Sequence, residues 1–305
     1  MDYPLVSVIT VNYNHPEVTI ALLRSLHAIS YPNIEIIVVD NASQEDPSII
    51  ESSFPDIIFI RNSENLGFAG GNNTAIRKAK GSYLLFINND TEVSPDFLEP
   101  LVDKCKSDKH IGAVSPKIKF FYQPDVIQFS GQAPINSFTM RSHGYGYGAV
   151  DKGQFDSDSI TNFVHGAAML IPYSVIKEVG LMPECYFLYY EELDWCTGIK
   201  NAGYELWYVH NSNVWHKESV STGKLTPLKT YYMNRSRLLY LRRNVVGITF
   251  LISVLYQLLF AFPKNILSFM LKKNGKEHLE AYFKAIYWHI SHHNTPEIHF
   301  NPTLE

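Results

Sequence analysis

The chain has 305 residues, room for one large domain or two ordinary ones, and its 46% hydrophobic and 18% charged content excludes a disordered protein. Three scattered cysteines, Cys105, Cys185 and Cys196, exclude a disulfide framework or a CxxC metal site and point to a reducing compartment; no secretion signal is expected, since Asp2 stands where a leader is basic and the first apolar run is short. The formal net charge of −4 hides a split: nine Lys/Arg and no acid lie between Leu225 and Lys276, leaving −13 for the rest of the chain.

In chain order, Leu5 to Val11 reads as a strand by its β-branched content and ends in Asn12-Tyr13-Asn14-His15-Pro16. A helix follows over Glu17 to Ile29, with Val18, Ala21, Leu22, Leu26 and Ile29 at helical spacing. Ile34 to Val39 is a second strand that stops at Asp40-Asn41, and Ile57 to Ile60 a third that stops at Arg61-Asn62. A glycine-rich turn from Asn65 to Asn73 leads into a helix through Lys80. Leu84-Leu85-Phe86-Ile87 is apolar throughout, as in a strand buried on both faces, and breaks into Asn88-Asn89-Asp90 before a helix from about Pro95. This alternation predicts an α/β fold, a doubly wound and mostly parallel sheet.

Such sheets bind ligands beyond the carboxyl ends of their strands. Asn12, Asp40, Arg61 and Asp90 fall there together, which predicts a nucleotide site; taken alone, Asn88 to Asp90 reads equally well as a helix cap. Neither GxGxxG nor a P-loop is present, so a diphosphate needs another counter-charge, and a divalent cation held by Asp90 is the simplest.

Beyond this, Ile111 to Pro116 reads as a strand and Lys117 to Gly131 as a hairpin, while Gly144 to Asp158 reads as a turn-rich mobile loop. Small residues at Gly166, Ala167 and Ala168 leave space for a sugar or acceptor. Glu191, Glu192 and Asp194 put three carboxylates at a helix start, either complementing the helix dipole or supplying a general base whose neighbours raise its pKa. Tyr204 to Val209 is a further strand, with Val214 to Ser221 after it, including His216.

Val245 to Phe262 is uncharged, flanked by cations on both sides and ends at Pro263. Such a run favours a membrane surface over nucleic acid; helices lying in the interface are preferred to a single spanning helix or a soluble core.

Val11-Asn12-Tyr13-Asn14, Val39-Asp40-Asn41-Ala42-Ser43, Asn65-Leu66-Gly67-Phe68-Ala69-Gly70-Gly71-Asn72 and Phe86-Ile87-Asn88-Asn89-Asp90-Thr91-Glu92, in this order, resemble family 2 glycosyltransferases of the rhamnosyltransferase-like branch. The resemblance implies a GT-A fold over residues 1–222 and a helical, membrane-associating region over 223–305. It implies a donor site of Asn12, Asn14, Asp40, Asn41, Arg61, Asn65, Gly67, Asn72, Asn88, Asn89 and Asp90, with Asp40 on the pyrimidine and ribose. Asn88 to Asp90 would stand for the metal motif, departing from it in having Asn88 first; His216 would join Asp90 on Mn²⁺ or Mg²⁺. The general base would be Glu192, beside Glu191 and Asp194, and the acceptor would meet Gly166 and Trp195. The implied activity is inverting transfer of a hexose or rhamnose from a UDP- or dTDP-sugar to a glycan or lipid-linked acceptor at the cytoplasmic face of the membrane. A nucleotidyltransferase and a non-catalytic sugar-nucleotide or lipid-binding protein are the alternatives.

Overall fold

The computed structural model describes residues 2–217, 226–272, 274–293 and 301–304. Its first half alternates β1 (Val6–Asn12), α1 (Pro16–Leu26), β2 (Ile34–Asp40), α2 (Ser48–Ser53), β3 (Ile58–Arg61), α3 (Gly67–Ile76) and β4 (Tyr83–Ile87). The four strands are parallel in the order β3-β2-β1-β4. Leu85 and Ile87 enter the core on the α1 side and Leu84 and Phe86 the core on the α3 side, so β4 is buried on both faces.

The sheet then becomes mixed. β5 (Thr91–Val93), α4 (Leu98–Ser107), β6 (Ile111–Phe120), β7 (Gln123–Phe129), β8 (Ser159–Thr161), β9 (Ala168–Pro172), α5 (Tyr173–Val179), α6 (Glu191–Asn201) and β10 (Glu205–His216) complete it. β9 runs antiparallel to β4 and β6, β10 is parallel to β6, and β5 closes antiparallel against β10. The expected mostly parallel sheet is thus parallel from β3 to β4 and again between β6 and β10, with antiparallel pairs at β9 and β5.

Other local expectations shift. The glycine-rich segment is the first two turns of α3, not a turn before it. Gly67 opens this helix at φ +70°, where a Cβ would lie 2.3 Å from the Phe187 carbonyl oxygen, so only glycine fits. The loop expected to be mobile is tied down at Asp151, which pairs with Lys119 at 2.8 Å and the buried Lys117 at 3.2 Å.

Four helices follow: α7 (Pro227–Asn244), α8 (Gly247–Tyr256), α9 (Phe262–Met270) and α10 (Gly275–Ser291). The expected boundary at 222/223 lies outside the described residues. The apolar run does not end at Pro263: a π-helical turn, Gln257–Ala261, joins α8 to α9. Proline has no N–H to donate, and a π turn ahead of it accommodates the missing bond. The resulting helix, Gly247–Met270, is long and apolar enough to cross a membrane, and 6% of its most apolar 18-residue window is buried.

α7 is locked to the α/β half. Arg243 Nε donates to Asp194 Oδ2 at 2.7 Å, Arg235 Nη2 donates to the Cys185 and Tyr186 carbonyls at 2.5 Å each, and Ser236 donates to the Leu188 carbonyl at 2.9 Å.

Candidate active site

The carboxyl ends of β1, β2 and β3 are in register, with Asn12 beside Asp40 and Asp40 beside Arg61. Asn12 Nδ2 donates to Asp40 Oδ1 at 2.8 Å; Ser43 adds its hydroxyl to Oδ1 at 2.6 Å and its amide to Oδ2 at 3.0 Å. Asn12 Oδ1 accepts from Thr19, whose hydroxyl accepts from Asn89 Nδ2 at 3.0 Å. One hydrogen-bonded line therefore runs along the rim from Asn89 to Asp40. Asn14 extends it, its Oδ1 accepting the Gln44 amide at 2.6 Å.

The remaining expected donor residues divide. Asn41 is buried with both ends of its amide engaged: Nδ2 donates to Asn65 Oδ1 and the Gly67 carbonyl, and Oδ1 accepts from Asn62 and the Leu66 amide. Asn65 and Gly67 are the far end of that arrangement, and Asn72 Nδ2 is spent on the Phe68 carbonyl. These four shape the wall of the cleft. Arg61 occupies the expected rim position with its backbone, but its half-exposed guanidinium turns to Glu51, 3.5 Å away, and over the Phe59 ring.

At the Asn89 end of this line, the pairing of His216 with Thr91 brings the end of β10 against Asp90. His216 Nε2 lies 3.1 Å from Asp90 Oδ1, and its Nδ1 meets Gln128 Oε1 at 2.8 Å. With Nδ1–H donated to Gln128, the Nε2 lone pair faces a carboxylate, an arrangement that a cation bound by both would satisfy. The 3.1 Å separation also suits two adjacent ligands of an octahedral ion, whose edge is about 3 Å when its bonds are about 2.1 Å. Asn88 Oδ1 is buried with no hydrogen-bond partner and offers a third oxygen donor. Among the described residues no cage of three His, Cys, Asp or Glu side chains exists, so the rest of the shell would fall to donor oxygens and water. Asp90, His216 and Asn88 thus fit a divalent ion shared with a substrate. Burial holds the adjacent His165 near 3, hence neutral, so it adds no positive charge.

The acids at the start of α6 have three different settings. Glu191 is 3% exposed and Glu192 half-buried, and one oxygen of each is buried without a hydrogen-bond partner among the described residues. Burial pushes both above the ordinary glutamate range, and the Glu192 carboxylate raises Glu191 further. Gly166 stands against Glu192: a Cβ there would lie 3.2 Å from Oε1. Asp194 is instead paired, with Arg243 at 2.7 Å and with Asn244, which makes it the anchor of α7. The acceptor contact expected of Trp195 is corrected: the indole is 1% exposed, packs edge-on against Phe86 and donates to the Gly180 carbonyl at 3.0 Å. It is too apolar and too well enclosed to leave the core.

Phe187, Tyr189 and Tyr190, directly before the acids, all have positive φ, between 64° and 76°. Non-glycine residues rarely hold this conformation, and strained backbone of this kind concentrates at functional sites.

Comparison with known proteins now bears on this geometry. The model for glycosyl transferase family 2 matches residues 7–180, more than half of the chain. The chain is a family 2 glycosyltransferase. A low-salt glycan biosynthesis hexosyltransferase from Haloferax volcanii is 27% identical over 194 residues, covering 62% of this glycosyltransferase and 60% of the relative. An N-acetylglucosaminyl-diphospho-decaprenol L-rhamnosyltransferase from Mycobacterium tuberculosis is 21% identical over 238 residues, covering 71% and 77%, in keeping with the rhamnosyltransferase-like branch. Another relative, 28% identical over 236 residues, is matched along only 25% of its own length. A Pyrobaculum calidifontis mannosyltransferase solved with GDP-Man and Mn²⁺ superposes with a TM-score of 0.58 at 18% identity, over 97% of this chain and 78% of that one, and shares the GT-A fold.

Sequence reasoning passed over Ser43 and Thr19, which tie the rim together, and Gln128, which orients His216. Ser43 ends the Val39–Ser43 motif; Gln128 carried no signal, because its role arises from the pairing of β6 and β7.

Proposed function

We propose that this glycosyltransferase moves a sugar, with inversion, from a nucleoside diphosphate sugar to a hydroxyl of a glycan or lipid-linked acceptor. The observation that carries this reading is the Asn12–Asp40 rim joined, through Thr19 and Asn89, to the segment that holds Asp90 against His216, together with the buried oxygens of Glu191 and Glu192 that have no partner among the described residues. Asp40, with Oδ2 held only by the Ser43 amide among the described residues, accepts from the base or ribose. Asp90, His216 and the Asn88 amide oxygen would hold a divalent cation, which when bound would supply positive charge against the leaving diphosphate.

Glu192, beside Gly166, takes the proton of the acceptor hydroxyl. The new bond forms from that oxygen to the anomeric carbon, the bond from the anomeric carbon to the phosphate oxygen breaks, and its electron pair leaves on the nucleoside diphosphate. Burial raises the pKa of Glu192, which makes its carboxylate a stronger base for this proton transfer. Gly247–Met270 presents its apolar face to the cytoplasmic leaflet of the membrane. A relative named for a diphospho-decaprenol acceptor supports the lipid-linked class.

The test is release of nucleoside diphosphate from a panel of UDP-, dTDP- and GDP-sugars, with Mn²⁺, with Mg²⁺ and with chelator. Turnover of one donor, lost in chelator, is expected. No hydrolysis or transfer with any donor, despite nucleotide binding, would favour a non-catalytic sugar-nucleotide binder instead.

A further inference from the structure

One side chain adjoins both halves of the candidate site without a role in the transfer described above. His165 ends the loop before β9 and opens a turn in which its carbonyl accepts the Ala168 amide at 3.0 Å. Its Nδ1 accepts the Ala167 amide at 3.1 Å, and its own amide donates to Ser115 Oγ at 3.4 Å. The Ala167 carbonyl accepts the Asn88 amide at 3.0 Å, which fixes this turn to the segment carrying Asp90. Three rings then meet the imidazole edge-on: Phe129 at 5.5 Å, Phe163 at 6.2 Å and His216 at 6.1 Å between centroids. The ring is held in one orientation.

A neutral imidazole that accepts a backbone N–H at Nδ1 carries its own hydrogen on Nε2. Burial keeps His165 neutral. Nε2 makes no hydrogen bond to any described residue and, unlike the Asn88, Glu191 and Glu192 oxygens, is not sealed from solvent. His165 thus presents one oriented N–H donor, and a donor fixed beforehand loses little freedom when a ligand arrives. What it meets follows from its two neighbours. On one side, Asp90 and His216 mark where the diphosphate of the sugar donor would be held. On the other, Gly166, the next residue in the chain, stands within 3.2 Å of Glu192 Oε1 once a Cβ is built on it. The anomeric carbon is bonded to that diphosphate and attacked by the oxygen that Glu192 deprotonates, so the transferred sugar occupies the space between. A neutral N–H there suits a hydroxyl oxygen.

We propose that His165 Nε2–H donates to a hydroxyl of the transferred sugar and so helps select which sugar this glycosyltransferase accepts. This rests on the glycosyl-transfer reading above and adds to it a residue that recognises the sugar itself. A sugar with no oxygen at that position leaves the donor group desolvated and unpaired, which is the stronger part of such discrimination.

Two substitutions divide the imidazole into its two functions. His165→Asn keeps an oxygen that can accept the Ala167 amide, as in an Asx turn, and ends short of Nε2; His165→Gln carries an amide N–H near the Nε2 position and gives up the Ala167 bond. The full chain is titrated calorimetrically, with Mn²⁺ present, using UDP-glucose, dTDP-rhamnose, UDP and dTDP. For whichever sugar nucleotide the parent binds more tightly, His165→Asn is expected to weaken binding about three- to tenfold, the usual worth of a neutral hydrogen bond, with the matching nucleoside diphosphate unchanged within about twofold. The melting temperature of His165→Asn should match the parent's, and His165→Gln should retain more of the sugar-nucleotide affinity than His165→Asn does. Three results would overturn the proposal: sugar-nucleotide affinity unchanged in His165→Asn, an equal loss for the nucleoside diphosphate, or an equal loss in His165→Gln. The second would put the contact on the diphosphate, and the third would make the ring, not its N–H, the required part. Failure of the parent to bind either UDP or dTDP would overturn the glycosyl-transfer reading itself, and the proposal with it.

Discussion

Asp90 and His216 meet at 3.1 Å because the last residue of β10 pairs with the first of β5. Neither side chain makes a site by itself. With Gln128 at Nδ1, the imidazole presents its other nitrogen to the carboxylate, the arrangement in which the two would serve as one ligand pair. Asp90→Asn removes the only carboxylate of this pair and is expected to lower kcat/KM at least about 100-fold, the usual scale for losing a principal transition-state charge contact. Asn88→Ala, which deletes a neutral oxygen, is expected to cost about tenfold, within the 10- to 100-fold range of supporting ligands. Calorimetric titration of Mn²⁺ in the presence of UDP should follow the same ranking; equal metal affinity in all three proteins would place the cation elsewhere.

The acid pair makes a prediction in pH. Burial raises both Glu191 and Glu192, and the Glu192 charge raises Glu191 further, so the deprotonated Glu192 that the proposed transfer needs accumulates only above the ordinary glutamate range. The acidic limb of the kcat/KM profile is expected to lie well above pH 4.3, the unperturbed value, and Glu192→Gln to abolish transfer while nucleotide binding survives. Stability runs the other way. A carboxyl group whose pKa is raised by folding is stabilising below its unfolded pKa and loses that contribution as pH rises through the folded value. Glu191→Gln should therefore melt higher than the parent at pH 8 and close to it at pH 4. A melting difference independent of pH would mean that Glu191 is not titrating from a raised value.

Asn12 and Asp40 were readable as a pair because two apolar runs of parallel strands end in register, and parallel pairing carries strand ends to one rim. The same logic placed Arg61 on the rim but missed its side chain, since β3 is an edge strand with Glu51 within reach outside the cleft. Position along a strand says where a residue is, and not where its last atoms go. Glu191, Glu192 and Asp194 looked alike in the sequence; the partner that separates Asp194 from the others, Arg243, is 49 residues away and arrives only when α7 docks. Contacts between distant segments, with no periodicity of their own, are the part of the site that required coordinates.

Arg243 and Asp194 give a prediction about that docking. Asp194 is 4% exposed, so Arg243→Ala strands a buried carboxylate and is expected to cost about 3–5 kcal/mol, as breaking a buried ion pair does. Asp194→Asn keeps a hydrogen-bonding group opposite Asn244 and removes the charge that needs Arg243. It should cost less. Urea denaturation followed by fluorescence measures both; a loss under about 1 kcal/mol for Arg243→Ala, the scale of an exposed pair, would show that α7 is not held by this contact.

Gly67 and Gly198 offer a matched comparison. Gly67→Ala forces a Cβ to within 2.3 Å of the Phe187 carbonyl at φ +70°, and the loop it displaces carries Tyr189 and Tyr190 into Glu191. A loss of about 1–3 kcal/mol from backbone strain is expected together with a fall in kcat. Gly198 lies inside α6 with nothing within 4 Å of a built Cβ, so Gly198→Ala should stabilise by about 0.5–1 kcal/mol, the helix-interior difference between the two residues. Thermal melts and initial rates on the same preparations separate the two effects.

The final prediction concerns how Gly247–Met270 meets a bilayer. At about 1.5 Å per residue its 24 residues measure about 36 Å, enough to cross a hydrocarbon core of about 30 Å. Length therefore does not decide between lying and spanning; the polar contacts along one flank favour lying. Ser253 donates to the Ser137 carbonyl at 2.6 Å and Gln257 to the Phe138 carbonyl at 2.8 Å, while Lys264 and Lys272 line a cavity beneath. A helix held to its own protein along one side, with leucines and phenylalanine exposed on the other, fits the plane of the interface, its cations at headgroup level. The protein should float with vesicles containing phosphatidylglycerol and be released by carbonate at high pH, which strips interfacial proteins and leaves spanning ones. Leu259→Glu/Phe260→Glu should abolish flotation without lowering the melting temperature, since neither side chain is buried. Retention through the carbonate wash would mean that the flank contacts to Ser137 and Phe138 give way to lipid and that the helix crosses.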